Sequence, residues 1–409
     1  MTFHVPGLHL QDVRLEVPLD YADPNGPQLQ IYARVLTAKG GQDRPYLVYL
    51  QGGPGAEAPR PAAHGNLPAW QQRLLGDYQL VMLDQRGTGH SSPVGQLSGT
   101  AQEQADYLAH LRADGIAQDA ERVRQHLGAE RWTLLGQSFG GFCTLTYLSQ
   151  FAPFAAGALF TGGLPAPGHH IDEVYRLTWD KMREKSESYY RRYPEDRARL
   201  ERLMERARDG QLLTERGHRV TPEMLRRIGM ALGGDGGAET LHFFLELDPE
   251  SPAFRADLAS WLPFRARNPL YLLLHEACWA DGFATRWAAE RTMPQDFVDD
   301  PTLLAGEHPH RDFLEHDPLL RPYREVAELL AEREWGPLYD QARLAEVQTP
   351  AAAAIYVDDA FVPFEFSRET AKLLPGLRPY ITNEFEHGGI RSSGDKVMDR
   401  VVGLLEGMI

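Results

Sequence analysis

The residues with the clearest chemical potential lie at Gly136–Gly140, which read Gly-Gln-Ser-Phe-Gly and fit the pattern G-x-S-x-G. This pattern is typical of a nucleophile elbow, a sharp turn from a strand into a helix that exposes the hydroxyl of its serine. The apolar residues Trp132–Leu135 predict the strand, and Phe142–Gln150 predict the helix. Ser138 is therefore a candidate nucleophile, but a glycine-rich turn with an incidental serine gives the same short pattern, so the rest of the chain must decide.

An aspartate and a histidine that could activate this serine follow much later. A serine hydroxyl is a poor nucleophile until a histidine accepts its proton, and that histidine needs a carboxylate to fix its tautomer. Pro350–Val357 predicts a strand that ends at Asp358 and Asp359, and His387 lies in the loop after the last predicted strand. We favour Asp359 over Asp358, because the turn begins after Asp359 and Asp358 would then point to the other side. Ser138, Asp359 and His387 form a candidate triad at the carboxyl edge of one parallel sheet.

A glycine-rich loop gives the second chemical signal. Tyr46–Leu50 is a continuous apolar run, as in a strand buried on both faces, and Gln51–Gly55 follows it as Gln-Gly-Gly-Pro-Gly. Residues without side chains at a strand end let a substrate carbonyl approach backbone N–H groups closely. We expect the N–H groups of Gly53 and Phe139 to form an oxyanion hole, since the residue after the nucleophile is the usual contributor.

The order of elements predicts an α/β fold around these residues. Alternating strands between Leu8 and Leu36 are followed by strands that alternate with helices, which indicates a mostly parallel sheet flanked by helices. From about residue 166 to 348 the chain changes to long charged stretches with helical periodicity. We therefore predict a core in residues 1–165, a large inserted helical domain in 166–348 and the second part of the core in 349–409.

Composition excludes some classes of partner. The 409 residues include 42 Lys and Arg against 57 Asp and Glu, a net charge of −15, whereas nucleic acids and anionic membranes are bound by cationic faces. We expect a cytoplasmic, soluble protein, because we find no long apolar run and no signal peptide at the start. Cys143 and Cys278 lack metal-ligand spacing and predict buried thiols. No metal or cofactor is implied, and the oligomeric state is not predicted.

Three motifs together resemble those of the proline iminopeptidases, or prolyl aminopeptidases: Gln51–Gly55, Gly136–Gly141 and Asp84–Ser92, which reads Asp-Gln-Arg-Gly-Thr-Gly-His-Ser-Ser. The resemblance covers most of the chain and is to the larger members. It implies an α/β-hydrolase core with an inserted helical cap. The implied activity is that of a serine peptidase that releases N-terminal proline, and also related small residues, from short peptides through an acyl-enzyme on Ser138.

Two positions depart from this family. Gln51 replaces a histidine of the smaller members, which matters little where only backbone N–H groups act, and Gly388 stands where larger members often carry aspartate. For Asp84–Ser92 we expect a structural role, in which Asp84 and Arg86 pair and brace the oxyanion loop.

The resemblance also implies residues that bind the substrate amine. A cationic amine is recognised by carboxylates near a pocket for the small ring. Glu276 is the first candidate, because it ends the apolar run Leu270–His275 and matches the acidic cap position of the family; the residues alone also allow a helix-surface glutamate. Glu239 is a weaker second candidate. Trp279 and Phe361 could line the ring pocket, although such aromatic residues are more often core.

Two other functions stay open at this point. A general esterase or amidase could have the same fold and triad, because these do not fix the substrate. A catalytically silent binding protein is disfavoured by the complete candidate triad and by both oxyanion elements. Release of a chromogenic amine from proline derivatives would separate a proline-releasing peptidase from a general esterase or amidase. Labelling of Ser138 by an acyl-serine probe would separate both enzymes from a silent binding protein.

Overall fold

Nine strands form one mixed sheet at the centre of the computed structural model, which describes residues 2–409. The strands are β1 (Thr2–Val5), β2 (Leu8–Pro18), β3 (Gln28–Ala38), β4 (Tyr46–Leu50), β5 (Gln79–Asp84), β6 (Trp132–Gln137), β7 (Ala155–Thr161), β8 (Ala351–Tyr356) and β9 (Leu377–Thr382). Their order across the sheet is β1-β2-β3-β5-β4-β6-β7-β8-β9. The pairs from β1 to β5 along this order are antiparallel, and all pairs from β5 to β9 are parallel. The predicted mostly parallel sheet is confirmed.

Helices flank this sheet and fill the long connection between β7 and β8. The α-helices are α1 (Ala69–Leu74), α2 (Ala101–Ala109), α3 (Ala113–His126), α4 (Phe139–Phe151), α5 (Ile171–Arg192), α6 (Glu195–Arg208), α7 (Pro222–Arg226), α8 (Gly237–Leu245), α9 (Pro252–Trp261), α10 (Pro269–Leu273), α11 (Ala288–Arg291), α12 (Gln295–Asp299), α13 (Asp312–His316), α14 (Arg324–Glu332), α15 (Gln341–Glu346), α16 (Phe364–Leu373), α17 (Gly389–Ser392) and α18 (Lys396–Leu405). Short 3₁₀ turns lie at His64–Asn66, Ala152–Phe154, Arg227–Gly233, Glu276–Cys278 and Arg321–Tyr323. Within residues 2–409, we find no helix of the length and apolarity that crossing a membrane requires.

Helices α5–α15 follow one another between β7 and β8, and we call residues 162–350 the helical segment. The sequence of helix α5 explains where the helix starts, where it ends and which face is buried. The His170 side chain accepts the N–H of Asp172, Glu173 reaches back to the N–H of His170, and arginines end the helix, which suits the helix dipole. The buried positions include Ile171, Val174 and Thr178, which recur every three to four residues and therefore lie on one helix face.

The helical segment and the sheet share one apolar core. Buried side chains of the elbow region, such as Phe142, belong to the same continuous cluster as Trp179 of α5 and Phe254 of α9. The division of the chain into two core parts and a cap stays a prediction, and the continuous apolar cluster packs these parts against one another.

The two cysteines are free and buried, as the sequence predicts. Cys143 lies in α4 and Cys278 in the helical segment. Burial raises the pKa of both thiols well above its ordinary value, so that they stay protonated and unreactive.

Candidate active site

Ser138 lies between β6 and α4, at the sharp turn that the G-x-S-x-G pattern predicts. Its backbone has φ 54° and ψ −125°, which is a strained conformation for a residue with a side chain. The turn is possible only because its neighbours are glycines. A Cβ at Gly136 would lie 2.3 Å from the carbonyl oxygen of Gly140, and a Cβ at Gly140 would lie 1.9 Å from that of Leu50. The sequence thus builds an elbow that holds the serine in one place.

His387 contacts a buried carboxylate in the loop after β8. Its Nδ1 lies 2.8 Å from Oδ2 of Asp359, and Oδ1 of Asp359 accepts the N–H groups of Phe361 and Val362 at 2.9 and 3.0 Å. The neighbouring Asp358 is half exposed and lies 3.8 Å from Nζ of Lys181. Of the two aspartates that the sequence offers, the structure therefore brings Asp359 to the histidine. Both oxygens of Asp359 are occupied, so the carboxylate has a fixed orientation.

The charges around His387 favour its protonated form. Burial alone would lower the pKa of the imidazole, but the charge and hydrogen bond of Asp359 outweigh burial, and Glu307 adds to the rise. Arg391 acts in the opposite direction. The net pKa of His387 is raised above the ordinary 6.5. An imidazole of this kind accepts a proton readily from a neighbouring hydroxyl.

Ser138 and His387 line the same cavity, which has a volume of about 370 Å³. Two glycines after β7 lie close to these residues. A Cβ at Gly162 would lie 3.1 Å from Nδ1 of His387, and a Cβ at Gly163 would lie 2.4 Å from the carbonyl oxygen of Ser138. The sheet therefore brings together three residues that are far apart in the sequence, at the edge where parallel strands end.

The glycine-rich loop after β4 lies against the elbow and lines the same cavity. A Cβ at Gly52 would lie 3.0 Å from Cβ of Ser138, so only glycine permits this approach. Gly53 has φ 133°, a conformation that residues with side chains rarely adopt. Among residues 2–409, the N–H groups of Gly53 and Phe139 have no acceptor, so both are available to an oxyanion.

The Asp84–Ser92 turn is structural, but the predicted pair between Asp84 and Arg86 is wrong. Asp84 binds the guanidinium of Arg60 at 2.9 and 2.6 Å, whereas Arg86 binds Asp119 twice at 2.7 Å. The two side chains contact different parts of the chain, and each buried charge finds its partner there. The oxyanion loop is braced instead by Gln85, whose side-chain amide donates to the carbonyl oxygen of Gln51 at 2.8 Å.

The helical segment forms the opposite side of the cavity and contributes one carboxylate to it. The residues that it supplies are Met230, Ala231, Gly233, Gly234, Asn268, Tyr271 and Glu307. Glu307 is largely buried, with 18% of its side chain exposed, and accepts a hydrogen bond from the Tyr271 hydroxyl. Burial raises the pKa of Glu307. Among the described residues that line this cavity, Glu307 alone carries a carboxylate.

The structure does not bring the two predicted amine-binding acids to the cavity. Both carboxylate oxygens of Glu276 accept backbone N–H groups, from Ala288 at 3.0 Å and Ala289 at 2.9 Å. Glu276 thus satisfies the free N–H groups at the start of α11, the usual role of an acid at a helix N-terminus. Glu239 lies on α8 with 39% of its side chain exposed and pairs with Arg192.

The two predicted pocket aromatics differ in position. Phe361 lines the cavity, and its ring meets that of His387 edge to face with 5.1 Å between centroids. Trp279 instead packs against Phe142 of α4 at 4.5 Å and does not line the cavity. Phe361 therefore shields the histidine, while Trp279 belongs to the contact between the helical segment and the core.

Sequence reasoning missed two charged residues of the cavity, Glu307 and Arg391. The sequence around each of them indicated a position near the site. Glu307 ends the run Leu303-Leu304-Ala305-Gly306, just as Glu276 ends an apolar run, and Arg391 follows His387 by about one helical turn.

One group of side chains has the geometry to hold a metal ion within residues 2–409, and it lies outside the cavity. It consists of Asp312, Glu315 and His316 on α13, which are partly or fully exposed. Exposed acidic groups of this kind are common without an ion. The absence of a metal or cofactor from the reaction stays a prediction of the sequence.

The parallel sheet, the serine elbow after β6 and the histidine after β9 define an α/β-hydrolase. In agreement, residues 45–229 match the family described as alpha/beta hydrolase fold. The chain is 39% identical to a proline iminopeptidase of Aeromonas sobria over 97% of each chain. It is 31% identical to the proline iminopeptidase aneH of Aspergillus aculeatus, over 97% of this chain and 93% of that one. The chain belongs to the proline iminopeptidase family, and the resemblance drawn from the three motifs is confirmed.

Proposed function

We propose that this protein is a serine aminopeptidase that releases N-terminal proline from short peptides. The observation that carries the proposal is Glu307, a largely buried carboxylate in the same cavity as Ser138 and His387. A carboxylate there matches a substrate whose free amine is cationic and lies close to the bond that is cleaved. The names of the two long relatives, both proline iminopeptidases, support the same activity.

The reaction begins when Oγ of Ser138 attacks the carbonyl carbon of the N-terminal residue and His387 takes the hydroxyl proton. The N–H groups of Gly53 and Phe139 stabilise the oxyanion. When the C–N bond breaks, His387 gives its proton to the leaving nitrogen, and the proline acyl group stays on Ser138 as an ester. Water then attacks this ester, His387 takes the proton of the water, and proline leaves as Ser138 regains its hydrogen. Asp359 stabilises the imidazolium in both halves.

Glu307 binds the secondary ammonium of the substrate. Because burial raises the pKa of Glu307, the ionised carboxylate is costly in the empty cavity. A cationic amine offsets this cost when it binds, whereas an acylated proline, which has no charge, does not. Apolar groups of Met230, Ala231 and Phe361 line the same cavity and give the pyrrolidine ring an apolar surface.

Release of 4-nitroaniline from three derivatives tests the function: the anilides of proline, alanine and N-acetylproline, with 4-nitrophenyl acetate as a simple ester. We expect the proline anilide to be cleaved fastest and the acetylated one not at all, because only a free amine can pair with Glu307. Cleavage of the ester without cleavage of the proline anilide would contradict the proposal and indicate a general esterase.

Substitution of the two candidate acids separates their roles. We expect Glu307→Gln to lower kcat/KM for the proline anilide about a hundredfold, because a buried charge pair is worth about 2–5 kcal/mol when one partner is removed. The matched variant Glu276→Gln retains most of this activity but lowers the melting temperature, since Glu276 caps α11. Kinetics of both purified variants and their thermal unfolding check this. A fall in kcat/KM in Glu276→Gln, with wild-type kinetics in Glu307→Gln, would identify Glu276 as the amine-binding acid, as the sequence predicts.

The cytoplasmic location expected from the sequence stays a prediction. The two unpaired thiols, Cys143 and Cys278, fit a reducing compartment. A peptide substrate also fits the acidic composition, which disfavours nucleic acid and anionic membrane as partners.

A further inference from the structure

The cavity of Ser138 contains charged groups of both signs. Glu307 supplies the negative charge from the helical segment, and Arg391 supplies a positive charge from α17. The other titratable side chains that line it are His387, which acts in the reaction, and Tyr271, which donates its hydroxyl hydrogen to Glu307. A cavity that offers one carboxylate and one guanidinium complements a small molecule with an ammonium at one end and a carboxylate at the other.

Arg391 is not paired with an acidic side chain in the part of the chain that the structure describes. Its guanidinium donates a hydrogen bond to Oε1 of Gln137 at 3.1 Å and lies beside the hydroxyl of Tyr49. Across residues 2–409 it forms no ion pair with a carboxylate, and its side chain is exposed at the cavity. Both of its polar contacts are neutral groups, so no carboxylate of residues 2–409 pairs with this positive charge. An arginine in this state is suited to a carboxylate, which it can bind through two parallel hydrogen bonds.

The position of Arg391 in the chain relates it to the leaving group. His387 must reach the leaving nitrogen to give it a proton, so the residues beside His387 face the part of the peptide that departs. Arg391 follows this histidine by four residues, about one helical turn. In a dipeptide, the departing part is a single amino acid, and its free carboxylate is attached to the carbon next to the leaving nitrogen. In a longer peptide, that position is a neutral amide.

We propose that Arg391 binds the C-terminal carboxylate of dipeptide substrates, so that the enzyme prefers free prolyl dipeptides to longer or amidated peptides. The inference rests on the proposed aminopeptidase function and adds the leaving-group side of the specificity to it. Glu307 and Arg391 then hold the two charged ends of the dipeptide, with the bond to be cleaved between them and next to Ser138.

The test compares prolyl-leucine with prolyl-leucine amide, which differ only in the carboxylate. We expect kcat/KM of the wild-type enzyme to be about ten- to a hundredfold higher for the free dipeptide, the range of a charge-assisted hydrogen bond. In Arg391→Gln this ratio falls close to one, chiefly through a higher KM for the free dipeptide. Arg391→Lys keeps part of the ratio, because it keeps the charge and loses the paired geometry. Proline release is measured by chromatography.

The matched control is Arg400→Gln on α18, an arginine outside the cavity, for which the wild-type ratio is expected. A ratio near one in the wild-type enzyme would overturn the inference. An equal fall in kcat/KM for both substrates in Arg391→Gln would also overturn it, because this result would mean that Arg391 only positions Gln137. The proline anilide has no carboxylate and tests the proposed function separately: wild-type enzyme that does not cleave it has a different activity, whatever the ratio.

Discussion

Ser138→Ala lowers kcat for proline anilides by about six orders of magnitude, the loss typical of a serine nucleophile that acts as one unit with its histidine. The reason is that the acyl-enzyme needs the Ser138 oxygen, and the other groups that line the cavity do not replace it. The fold survives, since alanine also fits the strained turn between Gly136 and Gly140, with one oxygen less. Stopped assays with high enzyme concentration and thermal unfolding measure both effects.

A matched serine controls for the substitution itself. Ser188 is exposed on α5, far from the elbow in the sequence, and we expect Ser188→Ala to keep wild-type kcat. A fluorophosphonate probe labels the wild-type enzyme and the Ser188 variant, and it leaves the Ser138 variant unlabelled. Residual turnover above about a thousandth of wild type in a preparation free of contaminating enzyme would exclude Ser138 as the nucleophile.

Asp359→Asn lowers kcat by about four orders of magnitude, the loss expected when the imidazole has the wrong tautomer. The structure gives the reason. Oδ1 of Asp359 accepts the N–H groups of Phe361 and Val362, so the amide oxygen of the variant takes this position and its NH₂ group faces His387. The imidazole must then accept at Nδ1 and carry its proton on Nε2. It can no longer take a proton from Ser138.

The pH profile distinguishes this change from simple loss of structure. In the wild-type enzyme, kcat/KM falls as the pH drops through the pKa of His387, which Asp359 and Glu307 raise above 6.5. Without the negative charge of Asp359 the pKa of His387 is lower, so the acid-side decrease of the remaining activity shifts to a lower pH. Asp358→Asn is the matched control, because Asp358 is half exposed and lies next to Lys181. A profile unchanged in Asp359→Asn, or a comparable loss in Asp358→Asn, would contradict the assignment.

The sheet could be predicted from the sequence because most of its strands are buried on both faces. Strands such as β4, β6 and β8 read as apolar runs between turn residues, and parallel strands end at one edge, which places Ser138 and His387 together. Strand β1 was missed, because Thr2–Val5 is a short edge strand with no buried residue. Helix α2 was also missed, although Thr100 and Glu103 form a capping box at its start.

The substrate side of the cavity was less predictable. Glu276 and Glu307 both end apolar runs in a helical segment, and local sequence gives no reason to prefer Glu307. The choice depends on tertiary structure: the start of α11 lies next to Glu276 and occupies both of its oxygens, whereas Glu307 meets Tyr271 at the cavity. The partners of Asp84 and Arg86 were unpredictable for the same reason, because Arg60 and Asp119 are distant in sequence.

The cavity draws its side chains from two parts of the chain, and this origin bears on how its selectivity can change. Ser138, Asp359 and His387 follow strands of the sheet, whereas Glu307 belongs to the helical segment. Substitutions near Glu307 can therefore alter which N-terminal residue is accepted while bond cleavage proceeds through the same groups. Relatives that differ mainly within residues 162–350 would share one reaction and differ in the N-terminal residue that they prefer. Exchange of that segment between them would be the direct route to enzymes with new N-terminal preferences.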